Sequence, residues 1–88
     1  MREFRYVVGD KNGLHARPAG MLATVARSFE SEIKIKAQGK EADGKRLLSL
    51  MSLGARSGTE LHFIIEGKDE DVAENALKKH CEEKLSGE

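Results

Sequence analysis

Apolar and polar residues alternate with a period of two along three stretches of the chain, as they do in strands that bury one face. The alternating apolar positions are Phe4, Tyr6 and Val8 in the first stretch, Ile33 and Ile35 in the second, and Leu61, Phe63 and Ile65 in the third. After the second stretch, Gln38-Gly39 favours a tight turn into a further short strand. The pattern therefore predicts four strands, over residues 2–8, 32–36, 40–42 and 59–67.

Apolar residues recur at helical spacing in three other segments. Helices are predicted over residues 16–28, over residues 47–53, and from residue 68 to near residue 85. Pro18 lies in the first turn of the first helix, where proline is tolerated, and Gly54 is placed to end the second. The buried stripe of the last helix is predicted to be Val72, Ala73, Ala76, Leu77 and Cys81.

The order of these elements is β-α-β-β-α-β-α, which predicts an α/β chain of the α+β type. We expect a four-stranded antiparallel sheet covered on one face by three helices, an open-faced two-layer sandwich. A chain of 88 residues has room for one compact core, so residues 1–88 are predicted to form a single domain.

Composition narrows the classes of function that fit the chain. Fifteen basic residues balance fifteen acidic ones, so no overall field attracts nucleic acid or an anionic membrane. The chain has one cysteine, and it has neither an apolar run at its N-terminus nor a stretch of the roughly 20 apolar residues that would span a bilayer. We therefore expect a cytoplasmic protein that does not insert into a membrane.

The segment Gly13-Leu14-His15-Ala16-Arg17-Pro18-Ala19 carries the clearest chemistry. A histidine at the start of a helix lies beside free backbone N–H groups, where the helix dipole favours an anion. Neutral imidazole is nucleophilic and can take and release a phosphoryl group. Arg17 can bind phosphate oxygens with a permanently charged guanidinium, and Pro18 fixes the turn. A lone histidine at such a position is more often structural, so the inference depends on the whole segment.

This segment resembles the active-site signature of the histidine-containing phosphocarrier (HPr) family of the bacterial phosphoenolpyruvate:sugar phosphotransferase system. The resemblance extends to the turn at Gly39-Lys40, the run Met51-Ser52-Leu53-Gly54 and the pair Gly58-Thr59. It implies that His15 is phosphorylated on Nδ1 by enzyme I, using phosphoenolpyruvate, with Arg17 as the phosphate-binding partner. It also implies transfer to sugar-specific enzyme II A-domains for sugar uptake and phosphorylation.

The resemblance further implies a surface for binding phosphate and partners. Carried over onto this chain, it consists of Ala16, Arg17, Pro18 and Gly20 on the first helix and Leu47, Leu48 and Met51 on the second. A short helix cannot bury leucines on every side, which fits an exposed apolar patch there. The expected protein is a monomeric carrier that needs no cofactor or metal, and it is a substrate of other enzymes rather than a catalyst on its own.

The chain departs from the family pattern at Arg46. Many members have a serine there, which a dedicated kinase phosphorylates in some bacteria, and Arg46 lacks both that hydroxyl and a good helix N-cap. Regulation by that route is in doubt, and the role does not transfer to Ser49 or Ser52. Our hypothesis is that Arg46 adds positive charge to the docking surface and favours an acidic partner.

Two alternatives stay open at this point. The first is an HPr-like paralogue that serves a regulatory phosphorelay, again through His15. The second is a small sandwich that binds RNA or a peptide, which the zero net charge and the absence of tryptophan disfavour. The remaining histidines, His62 and His80, and Cys81 are scattered in sequence and are interpreted as structural rather than as metal ligands.

Overall fold

The computed structural model describes residues 1–87 and confirms the predicted order of elements. The elements are β1 (Arg2–Val7), α1 (Ala16–Arg27), β2 (Glu32–Ala37), β3 (Lys40–Asp43), α2 (Leu47–Met51), β4 (Glu60–Glu66) and α3 (Glu70–Lys84). Their ends lie within about two residues of the predicted ones, the usual uncertainty of such boundaries. Within the described chain, no helix combines the length and the apolar character needed to cross a membrane.

The four strands form one antiparallel sheet, as predicted, and the structure gives their order as β1-β4-β2-β3. Phe63 lies near the centre of this sheet, because it is opposite Phe4 on β1 and Ile35 on β2. The rings of Phe4 and Phe63 stack with their centroids 4.4 Å apart. The alternation seen in the sequence thus directs the apolar residues of all three strands to the same face.

The helices cover that face, and the core lies between the two layers. Its largest fully buried side chains are Phe63, Leu22, Ile33, Ile35, Leu50, Leu53, Leu61, Ile65, Leu77, Leu85, Val8 and Cys81. The opposite face of the sheet is mostly polar, with Val7 and Ile64 as exceptions, and His62 of β4 pairs there with Glu3 of β1 at 2.7 Å. The structure therefore confirms the open-faced two-layer sandwich.

The predicted buried stripe of α3 is wrong at Val72, whose relative exposure is 61%, and Ala76 is only half-buried. The buried residues are Ala73, Leu77 and Cys81, spaced four apart, together with His80. Val72 precedes Ala73 by one residue, about 100° around the helix, and this rotation carries it out of the contact. Helical spacing allowed both residues, and only the packing of α3 on the sheet distinguishes them.

The side chain of Gln38 connects the β2–β3 turn to a segment distant in sequence. Gln38 has a left-handed backbone, with φ of 53°, and its side-chain amide donates to the carbonyls of Leu53 and Gly54, each at 3.0 Å. These bonds attach the β2–β3 turn to the chain after α2. They also offset the unfavourable conformation of a non-glycine residue in this region.

Asp69, the N-cap residue of α3, also binds the turn that follows α1. Its carboxylate accepts the backbone N–H of Glu30 at 2.8 Å, and both the N–H of Ser31 at 2.9 Å and its hydroxyl at 2.5 Å. The Ser31 hydroxyl, followed by these backbone N–H groups, lowers the pKa of Asp69. The carboxylate thus joins the turn after α1 to the turn before α3.

Candidate functional site

His15 is the N-cap residue of α1, as the sequence predicted, and its backbone is extended, with φ of −84° and ψ of −176°. Its side chain makes no capping hydrogen bond. The imidazole is 42% exposed, so a macromolecule can reach it. The ring is thus held at a helix start without being used to stabilise it.

The first turn of α1 offers backbone donors next to His15. The Ala19 N–H closes the first helical bond to the His15 carbonyl at 3.0 Å, and Pro18 has no N–H to satisfy. The amides of Ala16 and Arg17 find no acceptor in the part of the chain that the structure describes. Two free N–H groups and the positive end of the 12-residue helix favour an anion at this point.

The loop that carries His15 is fixed at two glycines. At Gly9, the N–H donates to the Leu85 carbonyl at 2.8 Å, and the backbone of Ser86 lies where a Cβ would be. At Gly13, φ is 69° and a Cβ would lie 2.5 Å from the Ala55 carbonyl oxygen. Only glycine combines this left-handed conformation with such close backbone approach. The loop is therefore clamped between the end of α3 and the segment after α2.

A shallow cleft surrounds the imidazole, lined by Asp10, Asn12, His15, Arg17, Pro18, Met21 and Lys84. Asp10 Oδ2 lies 3.9 Å from His15 Nε2, and this approach places a carboxylate beside one edge of the ring. Arg17 and Lys84 bring cations to the cleft from α1 and from the last residue of α3. The structure thus brings His15 and Arg17 together, as the sequence predicted.

Sequence reasoning missed four of these lining residues. Asp10 and Asn12 belong to the run Gly9-Asp10-Lys11-Asn12-Gly13, whose residue types are typical of a turn and carry no sign of a functional role. Met21 lies four residues after Arg17, one helical turn along the same side, which was a usable signal. Lys84 gave no signal, because it reaches the cleft only through the packing of α3 against the loop.

The residues of the implied docking surface differ in how far they are exposed. Ala16 and Arg17 are exposed, Gly20 is half-buried, and Pro18 is buried although it lines the cleft. On α2, Leu48 is 81% exposed, and Leu47 and Met51 are also among the exposed large apolar residues. The helices α1 and α2 pack against each other. The exposed residues of α1 and those of α2 therefore lie on neighbouring parts of the surface.

Arg46 is the N-cap of α2 and makes no side-chain capping bond, as its chemistry predicted. The remaining histidines and the cysteine are positioned by the fold. His62 is paired with Glu3, His80 is buried, and burial raises the pKa of the Cys81 thiol to about 12, which keeps it protonated and unreactive. Among residues 1–87, no group of three or more potential metal ligands comes together.

Comparison with known proteins matches these features to one family. The family model described as "PTS HPr component phosphorylation site" matches residues 2–83. The phosphocarrier protein HPr of Mycoplasma genitalium is 42% identical over 85 residues, which are 96% of each chain. A crystal structure of HPr from Thermoanaerobacter tengcongensis is 35% identical, with a TM-score of 0.92 over 100% of this chain and 99% of that one.

A second structure from Thermoanaerobacter tengcongensis is described as an HPr dimer. It is 35% identical, with a TM-score of 0.76 over 97% of this chain and 98% of that one. The family match covers the histidine, its helix and every strand of the sheet. The chain therefore belongs to the HPr family, the phosphocarrier proteins of the phosphotransferase system.

Proposed function

We propose that this protein accepts a phosphoryl group on His15 from enzyme I, which obtains it from phosphoenolpyruvate, and passes it to sugar-specific enzyme II A-domains. The observation that carries the proposal is the exposed imidazole at the N-cap of α1, free of any capping bond and next to unpaired first-turn amides. A structural N-cap would use its side chain to bind those amides. This one leaves both the ring and the amides available.

The side chains and amides around His15 supply the groups that the proposed phosphoryl transfer requires of this protein. The lone pair of His15 Nδ1 forms the N–P bond while the bond between phosphorus and the donor breaks, and its electron pair stays with the donor. The amides of Ala16 and Arg17 and the guanidinium of Arg17 would bind the phosphoryl oxygens, because phosphoryl transfer depends mainly on positioning and charge stabilisation. Transfer onward repeats the step in reverse, with a nucleophile of the partner attacking phosphorus.

Partner binding is proposed to use Ala16, Arg17 and Gly20 of α1 with Leu47, Leu48 and Met51 of α2. A largely solvated leucine such as Leu48 gains from burial against a partner, at about 25 cal/mol for each Å² of apolar surface. We propose that the protein acts as a monomer, since this surface must be open to successive partners. The role places it in the cytoplasm, where a thiol such as that of Cys81 stays reduced.

The test is phosphate labelling with phosphoenolpyruvate and purified enzyme I, followed by acid treatment, because a phosphohistidine is acid-labile. Wild type should be labelled and His15→Ala should not. His62→Ala is a matched control, since it removes another partly exposed ring, one that pairs with Glu3 on the sheet. Labelling of His15→Ala equal to wild type, or no labelling of wild type by a cognate enzyme I, would overturn the proposal. Labelling by a different donor alone would instead favour the regulatory phosphorelay.

A further inference from the structure

Asp10 is fixed in place by the loop that precedes His15. Its Oδ1 accepts the Asn12 N–H at 2.8 Å, and its backbone carbonyl accepts the Gly13 N–H at 2.8 Å. Together these bonds form a closed turn that uses one carboxylate oxygen and leaves the other free. The free oxygen, Oδ2, is the one that lies 3.9 Å from His15 Nε2. The turn thus directs a carboxylate at one nitrogen of the imidazole.

The charge around the ring comes from both sides of the cleft. Among the residues that line it, Asp10 is the acidic one, whereas Arg17 of α1 and Lys84 of α3 are cationic. A negative charge beside Nε2 favours the tautomer with its proton on that nitrogen. At 3.9 Å the contact is longer than a hydrogen bond, so the effect is electrostatic.

We propose that Asp10 is a positioning residue for His15, which holds the imidazole proton on Nε2 and so leaves the lone pair on Nδ1 for the phosphoryl group. This inference rests on the proposed function, because it assigns a role to the nitrogen that does not react.

The same contact serves the phosphorylated protein. When Nδ1 forms the N–P bond and Nε2 keeps its proton, the ring carries a positive charge, which Asp10 stabilises. When the next acceptor attacks phosphorus, the electron pair of the N–P bond returns to Nδ1 and the ring becomes neutral again. The Nε2 proton stays in place in both steps, so neither transfer requires a proton to enter or leave the ring.

The test compares Asp10→Asn with Asp43→Asn by ¹⁵N NMR of the imidazoles, on unphosphorylated protein at about pH 8.5, where histidine is neutral. An asparagine at position 10 can still accept the Asn12 N–H but lacks the charge at Oδ2. Asp43 is a matched control, because its Oδ1 accepts the Lys45 N–H at 2.9 Å and its carbonyl accepts the Arg46 N–H at 3.1 Å in an equivalent turn.

In wild type and in Asp43→Asn, the spectrum should show His15 with its proton mainly on Nε2. In Asp10→Asn, the ratio of tautomers should move toward the Nδ1–H form, because the negative charge beside Nε2 is gone. Hydrolysis of the phosphorylated variant should also show a pH profile displaced to lower pH, since the cationic ring has lost its counter-charge. An unchanged tautomer ratio in Asp10→Asn would overturn the proposal.

A measurement on wild type keeps the proposal testable if the variant folds poorly. Raising the salt concentration should weaken the field of a partly exposed carboxylate and shift the tautomer ratio in the direction of Asp10→Asn. A ratio in wild type that does not respond to salt would overturn the proposal. Neither NMR experiment uses enzyme I, so each tests the role of Asp10 independently of the proposed function. If the proposed function is wrong, wild type will not be labelled by phosphoenolpyruvate and enzyme I.

Discussion

His80 lies in α3 with only 9% of its surface exposed, and its Nε2 is buried without a hydrogen-bond partner among residues 1–87. A buried polar atom that loses water and gains no partner costs about 1–3 kcal/mol. Leucine has a similar size and no polar atom, and the neighbouring buried positions of α3, Leu77 and Cys81, are already apolar. We therefore expect His80→Leu to raise the free energy of unfolding by about 1–2 kcal/mol near neutral pH.

The effect of this substitution should depend on pH. Burial lowers the pKa of His80, the Lys84 charge lowers it further, and Glu83 opposes them. In the unfolded chain, the ring binds a proton near its ordinary pKa of about 6.5. Below about pH 6.5 the unfolded state therefore binds more protons than the folded state, and wild type loses stability as the pH falls toward the lower folded-state value. His80→Leu removes this loss, so its advantage should widen there.

Urea denaturation of both proteins, at about pH 8 and about pH 5.5, measures the two effects separately. Each kcal/mol corresponds to a rise in Tm of about 4–8 °C for a chain of this length. His62→Gln is the control, because His62 is paired with Glu3 on the open face of the sheet. Its replacement neither creates nor removes an unpaired buried polar atom. A His80→Leu variant that is less stable than wild type at about pH 8 would refute the reasoning about the unpaired nitrogen.

Three further results are expected. Gly13→Ala should destabilise the protein by about 1–3 kcal/mol in urea denaturation, because φ is 69° and the new Cβ would lie 2.5 Å from the Ala55 carbonyl; wild-type stability would contradict this. Asp69→Asn should be less stable than wild type near neutral pH, because the pKa of Asp69 is lowered in the folded protein. The Tm values of the two proteins should converge below about pH 4, where Asp69 of wild type becomes protonated. A difference in Tm that does not change with pH would contradict this role of the carboxylate. Arg46→Ser should bind enzyme I more weakly, with a shallower salt dependence, and an unchanged affinity in titrations would reject the charge hypothesis.

Sequence reasoning succeeded where a local rule determines the result. Strand alternation placed Leu61, Phe63 and Ile65 in the core because the period of two allows only one buried face. The N-cap position of His15 followed from the glycine before it and the proline after it. The error at Val72 arose in α3, where a helix offers overlapping stripes and the choice depends on its rotation against the sheet.

The surroundings of His15 were predicted only in part, for a related reason. Arg17 is two residues away and could be inferred, whereas Lys84 reaches the same cleft from the far end of the chain. Asp10 was visible as a turn residue, but which of its two oxygens would be free depends on the bond to Asn12. Tertiary packing therefore brings one of the charges, that of Lys84, to the cleft, and spacing in the sequence does not encode this contact.

The departure at Arg46 raises the question of how α2, which carries part of the proposed docking surface, is held without a capping side chain. Losing an N-cap costs a helix about 1 kcal/mol, and α2 has only five residues. Three other hydrogen bonds stabilise the start of α2. The Arg27 guanidinium donates to the Lys45 carbonyl at 3.0 Å, and the Lys45 ammonium donates to the Phe29 carbonyl at 2.7 Å. The Ser49 hydroxyl accepts the Asp43 N–H at 2.9 Å.

These bonds connect α2 to α1 and to β3, so its position does not depend on the residue at the cap. Leu50 is fully buried and anchors the other side of the helix in the core. Position 46 is consequently free to change its charge while Leu47, Leu48 and Met51 remain in place. A substitution there should alter the electrostatics of partner binding without altering the fold. Arg46→Ser is therefore expected to change affinity and salt dependence, while the free energy of unfolding rises by no more than the roughly 1 kcal/mol that a serine N-cap contributes.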